Sequence, residues 1–494
     1  MIPDASAHKD GEREGPSPAG KSGRARIPAD VWAALAIGLA AMVTRFLYCA
    51  AMKVPAFDPW RHLALIRNIR AGIGFSLFDG QPYIWYPPYW YSLCALFPER
   101  IAPLGIAAIL SSLSVVVWFA WLRSPVIRCS FRTAVAIGAL MAVFGPLVTF
   151  TCHYGAESFA LFIMVVALAV TTRYPGLFAA ACGGLLAGIA IVSRINFAPS
   201  LILFFPMIRS PRRAWVFIAT LLVPVLLTWT RNHQILSSFP FVFVFDGLAV
   251  PSDSFNVLST LLLQSNTDIN EALLMLHNKI MRFPEWFPSP NSVLSFGPFI
   301  AVTVMLIAVS LSRKPHLIAA AVLGFSYYLF LDRSHSGYFF RVFLGLFPVL
   351  LAGTAYFLET PAMRGKRIWY VISIVGLIFL GGSHYLFPRR SLPLDAVTPP
   401  QGLLENREYL VNSGFYQPES ILFRYPGSRL IGMPLRAGEF DHFIRHYPQY
   451  TAIVWHDFSI QDGLRTYLLS SGGYSPCITA VNSWNRSYQV LKRK

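Results

Sequence analysis

The residues best suited to chemistry in this chain are a few charges set against long apolar runs. Asp58 sits in FDPWRHLALIRNIR (57–70), just after a run of membrane-span length. A carboxylate there can take a proton from an attacking hydroxyl. It can equally cap a helix that starts at Pro59, since proline suits a first helical turn. On a helical wheel Leu65, Ile66 and Ile69 share one arc, while Arg61, Arg67 and Asn68 face away. That pattern, with His62 one turn after Asp58, predicts an interfacial helix with its cations exposed. A plain cap with anchoring arginines fits the stretch as well, so both readings stay open. YPPYW (86–90), opened by Tyr86, adds aromatics at the same membrane face. Interfacial anchoring explains it without any function.

Glu157, in TCHYGAESFALF (151–162), opens an apolar run close to His153. Acids at the edge of a span are costly and usually functional, although a helix N-terminus tolerates a carboxylate well. Three arginines complete the set. Arg194 lies at the break between two runs in IVSRINFAP, Arg231 and Asn232 leave a run in LTWTRNHQILSSF, and Arg341 enters one in SHSGYFFRVFLGLFP. Arginine grips phosphate bidentately and keeps its charge at low dielectric. Together these residues describe a site for an anionic lipid headgroup and a proton-transfer step.

The elements that must hold them are spans. The chain of 494 residues is 55% hydrophobic and 13% charged, with a mean hydropathy of +0.50. Soluble domains carry about 25% charge, so most of this chain cannot face water. Runs long enough to cross a bilayer fall near 31–51, 103–122, 133–151, 157–172, 175–192, 195–208, 214–230, 294–311, 316–331, 342–358 and 368–386. Alternate loops are short and basic: Arg123, Arg128 and Arg132; Arg173; Arg209, Arg212 and Arg213; Arg313 and Lys314; Arg364, Lys366 and Arg367. By the positive-inside rule that side is cytoplasmic, and it includes the polar tail 1–29, read as a disordered basic tail. The net charge of +17 reflects this bias, and no nucleic-acid partner is expected. Arg194, Arg231 and Arg341 then fall on the outer side, where topology alone does not ask for them.

The outer side also takes the first outer loop 52–102, the outer loop 231–293, and residues 387–494. The last section alternates strand-like SRLIGMP (428–434), YTAIVW (450–455), ITAVNS and SYQVLK with helix-like AGEFDHFIRHY (437–447) and IQDGLRTYLLSS (460–471). The expected fold is therefore a polytopic α-helical membrane protein of about eleven transmembrane helices. A small C-terminal α/β domain follows on the outer side. The cysteines Cys49, Cys94, Cys129, Cys152, Cys182 and Cys477 show no CxxC spacing, so neither a disulfide framework nor a zinc site is indicated.

Over residues 30–386 the chain resembles the GT-C superfamily of polyprenyl-phosphate-sugar glycosyltransferases, nearest the protein O-mannosyltransferase and lipid A aminoarabinose transferase branch. The resemblance rests on an ordered set: FDPWRHLALIRNIRAG, QPYIWYPPYWYSL, YGAESFALF, GLLAGIAIVSRINFAPSLILFFP, WTRNHQILSSF and YFFRVFLGLFP. It implies a sugar donor on a polyprenyl phosphate that enters from the bilayer, and an acceptor hydroxyl that approaches from the outer side. Asp58 matches the family's first-loop catalytic acid and would be the general base. Glu157 matches the second outer acid and would help hold the acceptor or donor sugar. Arg194, Arg231 and Arg341 would stabilise the departing phosphate, with Arg61, His62, His153, Tyr86 and Asn232 in support. Direct displacement implies inversion at the sugar carbon. The Trp-Trp-Asp signature of the oligosaccharyltransferase relatives is absent, so no metal and no other cofactor is expected. Trp85-Tyr86 stands where a charged residue usually precedes the Pro-Pro, which leaves the subfamily and the acceptor (protein, lipid or glycan) open. A bacterial inner membrane is the expected location. A flippase for a lipid-linked sugar, or a silent membrane scaffold, remains an alternative.

Overall fold

The structure is a computed structural model. It describes residues 28–51, 58–75, 87–98, 103–124, 126–152, 154–205, 208, 210–235, 297–330, 344–364 and 367–382, and in the C-terminal section 408–411, 429–432, 452–456, 466, 468–470, 473–481 and 487–493. The apolar runs become helices: α1 (Ala29–Ala51), α4 (Leu104–Leu122), α5 (Phe131–Val143), α6 (Gly145–Thr151), α7 (Glu157–Arg173), α8 (Leu177–Ser193) and α9 (Pro211–Ile235). Between α1 and α4 lie two shorter helices, α2 (Asp58–Arg70) and α3 (Tyr89–Ala95). Further apolar helices cover Gly297–Leu311, Pro315–Phe330, Phe347–Leu358 and Arg367–Gly382.

Trp32, Leu35, Leu39 and Leu47 of α1 and Trp215, Leu226 and Leu227 of α9 all lie more than half exposed. Bands of large apolar side chains on the outside of a helical bundle require lipid as the surrounding medium. The chain is a membrane protein. Among the described residues, Ala29–Ala50, Leu104–Leu122 and Pro211–Arg231 are single helices long and apolar enough to cross a bilayer.

Among the described residues, the expected spans 133–151 and 195–208 are not single α-helices. The run 133–151 breaks at Phe144, where α5 and α6 meet at 55°. Pro146 has no N–H to offer the preceding turn, so the α5 ladder cannot continue through it. The run 195–208 forms a 3-10 helix over Ile195–Phe204 with Pro199 inside it. Ten residues at about 2.0 Å each reach only some two-thirds of a bilayer core. Phe197, Pro199, Ser200, Leu203 and Phe204 of this segment are buried in protein, a setting that tolerates irregular backbone as lipid does not. Ser200 Oγ donates to the carbonyl of Gly345 at 2.5 Å. A Cβ on Gly345 would collide with the Asn196 carbonyl, so only glycine lets these two backbones meet.

The direction of the helices follows from their contacts. Gly184 of α8 lies against Phe217 and Thr220 of α9, and Gly188 lies against Leu221 and Pro224. Both sequences increase together, so α8 and α9 run parallel and residues 194–210 must carry the chain back across the bundle. Arg213, at the start of α9, donates to the carbonyls of Thr171 and Tyr174, which fixes that end beside the α7–α8 turn.

The C-terminal section contains a five-stranded mixed sheet, β1 (Glu408–Val411), β2 (Arg429–Gly432), β3 (Ala452–His456), β4 (Tyr474–Val481) and β5 (Ser487–Arg493), in the order β2-β1-β3-β5-β4. β1 pairs in parallel with β2 and β3, whereas β5 pairs antiparallel with β3 and β4. Each strand-like run of the sequence contributes a strand, and β1 is an addition. Parallel neighbours need long crossovers. The helix expected at 437–447 lies outside the described residues, and of 460–471 residues 466 and 468–470 are helical.

Candidate functional site

At one end of the bundle the chain turns from α6 into α7 and from α8 into the 3-10 helix, and these two turns hold a buried ion pair. Arg194 Nη2 lies 2.7 Å from Glu157 Oε1, with side-chain exposures of 11% and 1%. Glu157 is the first residue of α7, so the unpaired N–H groups of that helix end favour its charge. Arg194 ends α8 with an extended backbone (φ −153°, ψ 104°), which turns its side chain away from the lipid-facing run. Gly155 completes the fit. A Cβ there would run into the Glu157 carboxylate and come within 2.9 Å of Arg194 Nη2.

The juxtamembrane helices pack beside the start of α7, on Ala156. Leu65 and Ile66 of α2, Trp90, Tyr91 and Cys94 of α3, Ile106 and Ala107 of α4 and Ala156 before α7 form an apolar cluster separate from the main bundle core. The apolar arc of α2 thus packs on protein rather than on lipid, and Trp90 and Tyr91 are wholly buried rather than interfacial anchors. Packed aromatic rings bring large buried contact to these short helices.

Each of these rings also makes a directed contact. Trp90 Nε1 donates to the Tyr154 carbonyl at 2.9 Å, which ties α3 to the loop before Glu157. Tyr91 Oη lies 2.7 Å from Nδ1 of the buried His62, and the two rings stack. Tyr91 also packs on Phe75 at 5.3 Å, and the Arg231 guanidinium sits 5.1 Å above the Phe75 ring. Such a cation–π contact holds a guanidinium without neutralising it. The Arg70 guanidinium reaches the carbonyls of Ala95 and Phe97, complementing the C-terminal end of α3. Burial pushes the Tyr154 phenol up to about 12, with Cys49 adding to the rise, so Tyr154 stays neutral in this loop.

The structure therefore brings Glu157, Arg194, His62 and Arg231 to one end of the bundle. Asp58 is the first residue of α2, Arg61 lies in α2 and Asn232 lies in α9, but their side chains fall outside the described residues. Tyr86, His153 and Arg341 fall outside them altogether. Three functional candidates had no place in the charge pattern. Trp90 and Tyr91 read as anchors because aromatics beside a span usually are. Arg45 lies inside the first apolar run, in MVTRFLY, and that position is itself the signal, since an intramembrane cation needs a reason.

No family model matches the chain, and no curated protein matches it. Among solved structures it is similar to ArnT from Cupriavidus metallidurans bound to undecaprenyl phosphate, with a TM-score of 0.53 and 13% identity over 94% of this chain and 98% of that one. It is also similar, at a TM-score of 0.49 and 12% identity, to the apo oligosaccharyltransferase of Archaeoglobus fulgidus, over 87% of this chain and 69% of that one. The first likeness spans nearly the whole of both chains, and it carries the conclusion on architecture: the chain has the GT-C fold.

Proposed function

We propose that this protein is a membrane glycosyltransferase that moves a sugar from a polyprenyl-phosphate-linked donor to an acceptor hydroxyl on the outer face, with inversion. The observation that carries this reading is the Glu157–Arg194 pair, enclosed at a break between helices beside the cluster that α2 and α3 form on Ala156. A fold shared with an enzyme bound to undecaprenyl phosphate agrees with it.

In this reading the acceptor oxygen attacks the anomeric carbon as the bond from that carbon to the phosphate oxygen breaks. The electron pair leaves with the phosphate, and the acceptor proton passes to Asp58 as general base. Arg194, Arg231 and Arg341 meet the charge that grows on the phosphate. Glu157 holds Arg194 in place and accepts hydrogen bonds from a sugar, while His62 orients Tyr91 and, through it, the Phe75–Arg231 contact. Arg61, Tyr86, His153 and Asn232 support the same pocket. The chemistry balances without a metal, because guanidinium groups supply the positive charge.

Residues 387–494 form an α/β domain on the outer side, the bundle end bearing Glu157 faces the same side, and the N-terminus is cytoplasmic. The membrane is a bacterial inner membrane. Purified protein in liposomes carrying a polyprenyl-phosphate sugar pool, incubated with extracted membrane lipids and cell-envelope glycans, should yield a product of one added sugar mass. Asp58→Asn should lower that product by about 10²–10⁴-fold while the protein stays folded. Retained transfer in that variant would remove Asp58 from the mechanism, and retained lipid flipping without transfer would favour the flippase.

A further inference from the structure

Arg45 lies nearly three-quarters of the way along α1 and is fully buried. Its side chain reaches the break between α5 and α6. Nη1 donates to the carbonyl of Ala142 at 2.9 Å and Nη2 to that of Met141 at 3.2 Å, with a further bond from Nη1 to Ala41 in its own helix. In a continuous helix Ala142 would receive its hydrogen bond from the residue at 146. That residue is proline, which has no N–H to give. The guanidinium supplies the donor that the break removes.

The other edge of Arg45 continues the contact toward the site. Nε donates to Ser111 Oγ of α4 at 2.6 Å, and that hydroxyl lies 2.6 Å from Thr151 Oγ1, the last residue of α6. Thr151 also bonds back to the Leu147 carbonyl. One side chain thus fixes both where α5 stops and where α6 ends. The chain reaches Glu157 only a short loop later, with the Tyr154 carbonyl already tied to Trp90.

We infer that Arg45 is a positioning residue: by holding the α5/α6 break in its bent form through Ala142, Met141, Ser111 and Thr151, it sets the loop that presents Glu157 to Arg194. The inference rests on the proposed transfer reaction for its kinetic consequence, but its structural part stands alone. A misplacement of about 1 Å at a reacting site costs on the order of 10²-fold in rate.

The test uses Arg45→Met, Pro146→Ala and the double variant R45M/P146A in the full chain. Hydrogen exchange followed by mass spectrometry over 140–156 reads the break directly, without any activity. Arg45→Met should raise exchange there and lower kcat about 10²-fold, leaving KM for the lipid-linked donor within about threefold. In the double variant the alanine N–H returns a partner to Ala142, so exchange protection and melting temperature should recover. Because the helix then runs straighter, kcat should stay low. Recovery of kcat together with stability would overturn the inference, since Arg45 would then serve only to satisfy carbonyls. Unchanged exchange over 140–156 in Arg45→Met would overturn it as well. If the wild-type protein transfers no sugar, the proposed function fails while the exchange results still decide the role of Arg45. Should Arg45→Met fail to fold, Arg45→Lys keeps the charge but not the fork, and the inference requires raised exchange over 140–156 in that variant too.

Discussion

Two helix breaks in this bundle each hold a buried arginine, and the two guanidinium groups meet different partners. At the α5/α6 break Arg45 meets neutral oxygens, the carbonyls of Ala41, Met141 and Ala142 and the hydroxyl of Ser111. At the end of α8 Arg194 meets the carboxylate of Glu157. Arg45 is wholly enclosed, whereas the Arg194 side chain keeps 11% exposure. Carbonyls spread along two helices use the fork of a guanidinium as a brace. At the second break the Glu157 carboxylate balances the charge of the guanidinium. The first break is built to hold a shape, and the second is built to hold charge near the end of the bundle.

The sharpest way to break this contrast is at the second end. Asp58→Asn should lower transfer by about 10²–10⁴-fold, the range for a lost general base, with an unchanged melting temperature. A large loss of stability instead would make the α2 start a scaffold like Arg45.

Glu157→Gln comes next. Removing one partner of a buried pair costs about 3–5 kcal/mol, because the other charge is left uncompensated. Thermal melting in detergent should show that loss, and the double variant Glu157→Gln with Arg194→Gln should recover part of it. If the double variant is as unstable as the sum of the singles, the pair is not coupled and the contrast with Arg45 fails.

Two glycines sharpen the comparison further. Gly345→Ala sets a Cβ against backbone at Asn196, which cannot move aside, and should cost about 1–3 kcal/mol in stability. Gly155→Ala meets the carboxylate end of Glu157, which can swing away, so it should lower transfer more than it lowers the melting temperature. Gly176 has open space around its Cβ position, and Gly176→Ala should stay within about 0.5 kcal/mol of the parent. The smallest effect expected is that of a chelator. Transfer measured after EDTA treatment should be unchanged, and a loss restored by added Mg²⁺ or Mn²⁺ would put a metal into the site.

The sequence by itself determined the class of molecule and the addresses of its charges. Long apolar runs separated by basic turns can only be spans, because their composition excludes water as the surrounding medium. Glu157 opening α7, Arg194 ending α8 and the strands at 429–432, 452–456, 474–481 and 487–493 all follow from local pattern. Tertiary structure decided who meets whom. That Glu157 faces Arg194, that Trp90 and Tyr91 pack inward onto Ala156 and His62, and that Arg45 takes the place of a missing backbone donor all depend on helices far apart in sequence. Periodicity records which residues leave water, and says nothing of which neighbour receives them. The bends at Phe144 and Arg194 arise the same way: a hydropathy run reads alike whether it is a straight span, a kinked one or a 3-10 turn. Only the packed bundle, with partners for each freed carbonyl, selects among them.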